Sequence, residues 1–192
     1  CLLGCGVQTG LGSVLNTAKV TPGSTVLVMG LGGVGLSIVQ GARIAQAEKI
    51  IVSDPVEDRR SKATQLGATN TIDPTSSDLL GEIFELTDGA GVDFSFDAVG
   101  NSDLIAMGLA ANKSGGLTVI VGAPPPEEEL KLPSALHLMM TEKRLIGSLL
   151  GSCDAQKDIP AFVEYWKNGS LDLESMISHK YTLDEVNLGL MH

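Results

Sequence analysis

A short apolar run that stops at a glycine and turns at once into a helical pattern constrains this chain more than any other feature. Thr25-Val26-Leu27-Val28-Met29 is continuously apolar after its first residue, as in a strand buried on both faces of a sheet. Gly30-Leu31-Gly32-Gly33-Val34-Gly35 follows directly. Val34, Ile38 and Ala42 then recur on one face of a helix expected over 34–47. Strand, G-x-G-x-x-G turn and helix in immediate succession open a βαβ unit able to cradle a dinucleotide. Gly30 makes the tight turn, Gly32 lets a pyrophosphate approach the backbone, and Gly35 lets the helix pack closely on the strand. Leu31, Gly33 and Val34 complete the turn, where the helix end offers N–H groups and a positive dipole to phosphates.

The alternation continues along the chain. Further strands are expected over 49–53, 71–72, 92–99, 117–121 and 144–149. Helices are expected over 57–66, 77–87 and 102–112, with another over 9–18 ahead of the first strand. Such a chain requires a parallel sheet with right-handed crossovers. The expected fold is a doubly wound α/β Rossmann domain, strand order 3-2-1-4-5-6, with helices on both faces. Seven aromatic residues among 192 leave its core to Val, Ile, Leu and Ala.

Asp54 closes the second strand about twenty residues beyond the glycine turn, where a carboxylate accepts hydrogen bonds from both adenosine ribose hydroxyls. A 2′-phosphate would meet it as a like charge, so NAD is expected over NADP. Arg59 and Arg60 lie nearby and would favour a phosphate, which tempers that preference.

A net charge of −10 argues against nucleic acid or an anionic membrane surface as partner. No apolar stretch reaches the length of a membrane span, and no signal peptide opens the chain. Three cysteines make no disulfide framework, so a cytoplasmic setting is expected. Glu127-Glu128-Glu129, after three prolines, reads as a solvated loop.

From the residues alone, Cys5 reads more readily as a buried structural thiol than as a ligand, Cys1 fits no zinc spacing, and Cys153 reads as inert. His137, His179 and His192 read as packing residues. The opening Cys1-Leu2-Leu3-Gly4-Cys5-Gly6 with Thr9-Gly10, followed by the glycine turn and Asp54, changes the reading of Cys5. Together with Thr17-Ala18-Lys19, Gly67-Ala68-Thr69, Gly91-Val92-Asp93-Phe94-Ser95-Phe96, Val119-Ile120-Val121-Gly122 and Asp184-Glu185-Val186-Asn187, it resembles the zinc-containing medium-chain alcohol dehydrogenases. The nearest branch by this resemblance is class III, the glutathione-dependent formaldehyde dehydrogenases.

The resemblance implies that Cys5 is a thiolate ligand of the catalytic zinc and that Thr9 packs against the nicotinamide. It places Val99 and Gly100 along the coenzyme crevice and Arg59 near the adenosine ribose. Backbone of Val121, Gly122 and Ala123, and of Ser148 to Leu150, would hold the carboxamide. The chemistry implied is hydride transfer from an alcohol, or from S-hydroxymethylglutathione, to NAD, with zinc as Lewis acid. A homodimer paired through the sixth strand is also implied.

A catalytic zinc needs three protein ligands, and this sequence offers one at a matching position. The chain also starts without Met and stops at Leu190-Met191-His192 inside a helical pattern. It therefore reads as a fragment: the end of a catalytic domain over 1–6, an NAD-binding domain over 7–149, and a truncated return of the catalytic domain over 150–192. As it stands it is expected to bind NAD without holding zinc or oxidising alcohols. The alternatives are an NAD-sensing module without catalysis, a methyltransferase, which Gly35 disfavours, and a zinc-free quinone reductase, which Cys5 disfavours.

Overall fold

Six strands pair side by side, all parallel, in the order β3-β2-β1-β4-β5-β6. They are β1 (Thr25–Met29), β2 (Lys49–Ser53), β3 (Asn70–Ile72), β4 (Val92–Asp97), β5 (Asn112–Ile120) and β6 (Arg144–Gly147). The helices are α1 (Gly6–Gly12), α2 (Gly33–Ile44), α3 (Glu57–Leu66), α4 (Leu79–Leu86), α5 (Ser102–Ala111), α6 (Ala135–Thr141), α7 (Ala155–Lys167) and α8 (Val186–Met191). The computed structural model describes residues 2–130 and 132–191, so the readings of Cys1 and His192 lie outside the described residues.

The expected Rossmann fold and strand order are present. Alternation along β1 sends Val26 and Val28 to one face and Leu27 and Met29 to the other, and all four are buried. Ile38, Val39 and Ala42 of α2 and Leu66 of α3 cover the first face; Leu79 and Ile83 of α4 cover the second. A third cluster joins Val7 and Leu11 of α1 to Phe162 of α7 and Leu171. Truncating a buried side chain such as Leu27 to Ala costs about 2–5 kcal/mol in such a core.

Several boundaries differ from expectation. The first helix starts at Gly6 rather than 9, and over Ser13–Ala18 it is wound as a π-helix. There the Ser13 hydroxyl donates to the Thr9 carbonyl at 2.6 Å and competes with the helix's own ladder. α2 ends at Ile44, since Gln46 turns into the left-handed region at φ 61°. β5 starts at Asn112, directly after α5, and a register shift between Val92 and Phe94 accommodates the extra length. β4 and β6 end at Asp97 and Gly147, two residues earlier than expected.

His137 and His179 are exposed rather than packed, and the His179 ring stacks on Tyr181 with centroids 6.0 Å apart. Glu128 is exposed but not merely solvated: its carboxylate accepts from the Ser102 N–H at 3.0 Å and so caps α5. Among the described residues no helix is long and apolar enough to cross a membrane.

Candidate functional site

The site lies over the carboxyl ends of the strands, where the crossovers diverge between β1 and β4. Gly30 leaves β1 at φ +88°, and its N–H bonds the Ser53 carbonyl of β2 at 2.8 Å. A Cβ at Gly35 would stand 1.8 Å from the Gly30 carbonyl oxygen, so the first turn of α2 can rest on the strand end only without a side chain. Gly32 and Gly33 differ: a Cβ on either meets nothing within 4 Å, and both face solvent. The turn is thus tight beneath and open above, a concavity under the N–H groups of a helix start that lack intrahelical partners. Leu31 is buried and Val34 partly so, which anchors both ends of the turn.

Asp54 is buried at the end of β2. Its Oδ2 accepts the Leu31 N–H at 2.8 Å and its Oδ1 the Val56 N–H at 2.8 Å. An ionised carboxylate has about four lone-pair positions. Each oxygen therefore keeps acceptor capacity for a ribose hydroxyl while the same carboxylate ties the glycine turn to β2. Arg59, half exposed, approaches Oδ2 at 3.6 Å. Arg60 is not the phosphate-seeking residue that its position suggested. It donates to the Asp54 carbonyl at 2.6 Å and pairs with Asp73 at 3.2 Å, which fixes it in the scaffold.

On the other side of β1, the loops after β4 and β5 meet backbone to backbone. A Cβ at Gly122 would stand 2.1 Å from the Gly100 nitrogen, and one at Gly100 would stand 2.6 Å from the Ala123 carbonyl carbon. Asp97, which the sequence reading missed, holds both loops. Its buried carboxylate accepts from Val99 and Gly100, and its carbonyl accepts from Val121 and Gly122 at 2.9 Å each. Burial raises its pKa above the usual carboxylate value, against the opposing pull of these N–H donors. Val99 is half exposed at the mouth of the crevice.

Thr9 is buried in α1, which crosses α2 closely: a Cβ at Gly10 would stand 2.6 Å from the Val34 carbonyl oxygen. The segment after β6 docks on the same helix. A Cβ at Gly151 would stand 2.6 Å from the Gln8 carbonyl oxygen and 2.7 Å from Gly12 Cα. Leu150, Gly151 and Ser152 all have left-handed φ, at 49°, 69° and 51°. For Leu150 and Ser152 that costs about 1–2 kcal/mol each, so packing must hold them there. Ser148 is buried and hydrogen-bonded to Ser13 and Thr17, and Thr17 to Ser152. The sequence reading missed this hydroxyl group too. Its signal was Thr9, Ser13 and Thr17 at spacings of four, one helical face.

Cys5 is exposed, which overturns its reading as a buried structural thiol. It borders a hollow of about 270 Å³ lined also by Leu2, Gly6, Val7, Gly33 and Met176, and so stands beside the glycine turn. Among the described residues no three His, Cys, Asp or Glu side chains come together as a metal site, so the residues present do not form a catalytic zinc centre. Cys153 is part-buried against Asn16 and Asp158, and burial, then the Asp158 charge, push its thiol up to about 11. It is a protonated, poorly nucleophilic thiol at neutral pH, as expected.

The sequence pattern of the family described as zinc-binding dehydrogenase matches residues 33–168. Alcohol dehydrogenase 6 of Peromyscus maniculatus is 39% identical over 190 residues, 97% of this chain and 50% of that protein. The crystal structure of benzyl alcohol dehydrogenase from Acinetobacter calcoaceticus superposes with a TM-score of 0.94 at 34% identity, over 98% of this chain and 51% of that one. A Sinorhizobium meliloti protein described as a zinc-binding dehydrogenase, solved bound to NADP, superposes with a TM-score of 0.89 at 26% identity, over 99% of this chain and 54% of that one. The chain spans about half the length of the relatives it matches.

Proposed function

The chain belongs to the zinc-binding dehydrogenase family, and on that premise we propose that it is the coenzyme-binding part of an alcohol dehydrogenase that prefers NAD. One observation carries the preference. Asp54 is buried at the end of β2 with both carboxylate oxygens still able to accept, in line with the concavity above Gly32 and Gly33. A dinucleotide whose pyrophosphate rests on the start of α2 brings its adenosine ribose to that carboxylate. Two vicinal hydroxyls are then favoured, and a 2′-phosphate is met by buried negative charge. A family relative was solved with NADP, so the proposed preference is attributed to the residue at position 54 and not to the fold.

The remaining residues orient the other half of the coenzyme. Val99 and Gly100, with Val121, Gly122 and Ala123, wall the crevice past β4 and β5. Thr9 supports the nicotinamide from below, and backbone of residues 148–150 presents the N–H and C=O groups that a carboxamide requires. In the longer protein, Cys5 supplies one thiolate to a zinc whose other ligands lie outside these residues. The substrate is an alcohol, with S-hydroxymethylglutathione as the narrower candidate.

Calorimetric titration of the chain with NAD and NADP tests the reading, and tighter binding of NADP would overturn it. Turnover of alcohols by these 192 residues alone would overturn the assignment of the zinc centre to a larger protein. We further infer a homodimer through β6, an edge strand that carries exposed Ile146 and follows exposed Leu136, Met139 and Met140. Sedimentation as a monomer at high concentration would exclude it.

A further inference from the structure

With its phosphates on α2 and its adenosine at Asp54, a dinucleotide must lay its second half over β4, β5 and β6. The segment 148–152 stands at the carboxyl end of β6, on that side. It holds three consecutive left-handed residues and is seated on α1 by contacts that tolerate no side chain at Gly12 or Gly151. A left-handed run of this kind keeps its shape only if something fixes its ends.

The hydroxyls supply that fixation, and their hydrogen-bond direction can be derived. Ser13 Oγ donates its single proton to the Thr9 carbonyl at 2.6 Å. Ser148 must then donate to Ser13 across 2.9 Å, which spends its own proton. Thr17 must donate to Ser148 across 2.9 Å, and Ser152 to Thr17 across 2.7 Å. All four O–H bonds therefore run one way, from exposed Ser152 to the buried Thr9 carbonyl, and each donation strengthens the next acceptor. The chain ends on a carbonyl, which has no proton to pass on, so it is an anchor and not a proton path. It also grips the segment at both ends, at Ser148 and Ser152, and joins it to Thr9, the residue proposed above to support the nicotinamide.

We propose that this one-way chain of hydroxyls, Ser152 to Thr17 to Ser148 to Ser13, holds residues 148–152 as a preformed clamp for the nicotinamide end of the coenzyme. Thr17 and Ser148 are then positioning residues whose effect is confined to one half of the ligand. The inference rests on the dinucleotide reading above.

ADP-ribose, which has everything but the nicotinamide, separates the two. Calorimetry compares NAD and ADP-ribose on the unmutated chain, on Thr17→Val and Ser148→Ala, and on Thr17→Ser, which keeps the hydroxyl. Thr17→Val and Ser148→Ala are expected to weaken NAD about five- to tenfold and leave ADP-ribose unchanged, whereas Thr17→Ser is expected to keep the NAD affinity of the unmutated chain. Equal loss for both ligands, or unchanged NAD affinity, overturns the clamp. Absence of ADP-ribose binding to the unmutated chain overturns the dinucleotide reading itself. Should Thr17→Val not fold, Ser152→Ala at the exposed end is expected to weaken NAD about two- to threefold, again without effect on ADP-ribose, and no change there also overturns the clamp.

Discussion

The two halves of the crevice are built differently. On the proposed adenosine side, the glycine turn, α2, β2 and Asp54 are consecutive in sequence, and one βαβ unit supplies concavity, dipole and carboxylate together. On the proposed nicotinamide side, the loops after β4, β5 and β6 are held by Asp97, by glycine-to-glycine backbone contacts, and by hydroxyls from the π-helical turn that follows α1. The first half is a motif. The second is an assembly, in which no short stretch contains the site.

Substitutions that act on one half at a time test that contrast. The largest effects are expected at the glycines. Gly35→Ala drives a Cβ into the Gly30 carbonyl and should cost about 3 kcal/mol or more, with NAD and ADP-ribose both weakened severely. Gly122→Ala drives a Cβ onto the Gly100 nitrogen and should destabilise comparably, yet weaken NAD far more than ADP-ribose. Thermal unfolding and calorimetry on both variants read this out, and the same ligand profile from each would erase the distinction.

Asp54→Asn comes next. It keeps the shape and one acceptor but removes the charge, so NAD should bind about tenfold more weakly and NADP about as before, narrowing the preference. A preference left intact would mean that the carboxylate is only a tether for Leu31.

The smallest effect separates the halves by pH. Asp97 has its pKa raised by burial, so its contribution to stability is complete below 3.8 and is lost as pH rises through the raised value. Asp73, after β3, is lowered by Thr75 and then by Arg60, so its contribution is present above 3.8 and is lost as pH falls through the lowered value. Melting temperatures of Asp97→Asn and Asp73→Asn, each relative to the unmutated chain, should drift in opposite directions with pH. Parallel drift would show that neither carboxylate titrates as its surroundings dictate.

The same contrast explains what could be read from the sequence. The bounds of β1, β2 and α3 and the turn-making roles of Gly30 and Gly35 were legible, because apolar period and turn glycines are local signals. The early start of β5 was not, since pairing to β4 draws Asn112 into the sheet against its helical neighbourhood. Asp97 fell unremarked inside the strand expected over 92–99, and only its burial and four backbone donors reveal its role. The exposure of Cys5 was not legible from the residues alone, because its apolar neighbours Leu2 and Leu3 are themselves only partly buried. For His137, an apolar run read as core turned out to be a surface helix.

The hydroxyl anchor also bears on the order in which the molecule is put together. Thr17 and Ser148 are 131 positions apart, and Ser13 and Ser148 are 135 apart, whereas Leu31 and Asp54 are separated by 23. Closing a chain segment costs entropy that grows with its logarithm, so contacts of such long range are rewarded only after the intervening sheet has formed. The adenosine half is expected to collapse early as a local nucleus, and the segment on α1 to lock last. In native-state hydrogen exchange the amides of residues 148–153 should accordingly open at lower free energy than those of β1 and β2. Coenzyme binding would then complete a late folding step, and added NAD should slow exchange there more than anywhere in the βαβ unit.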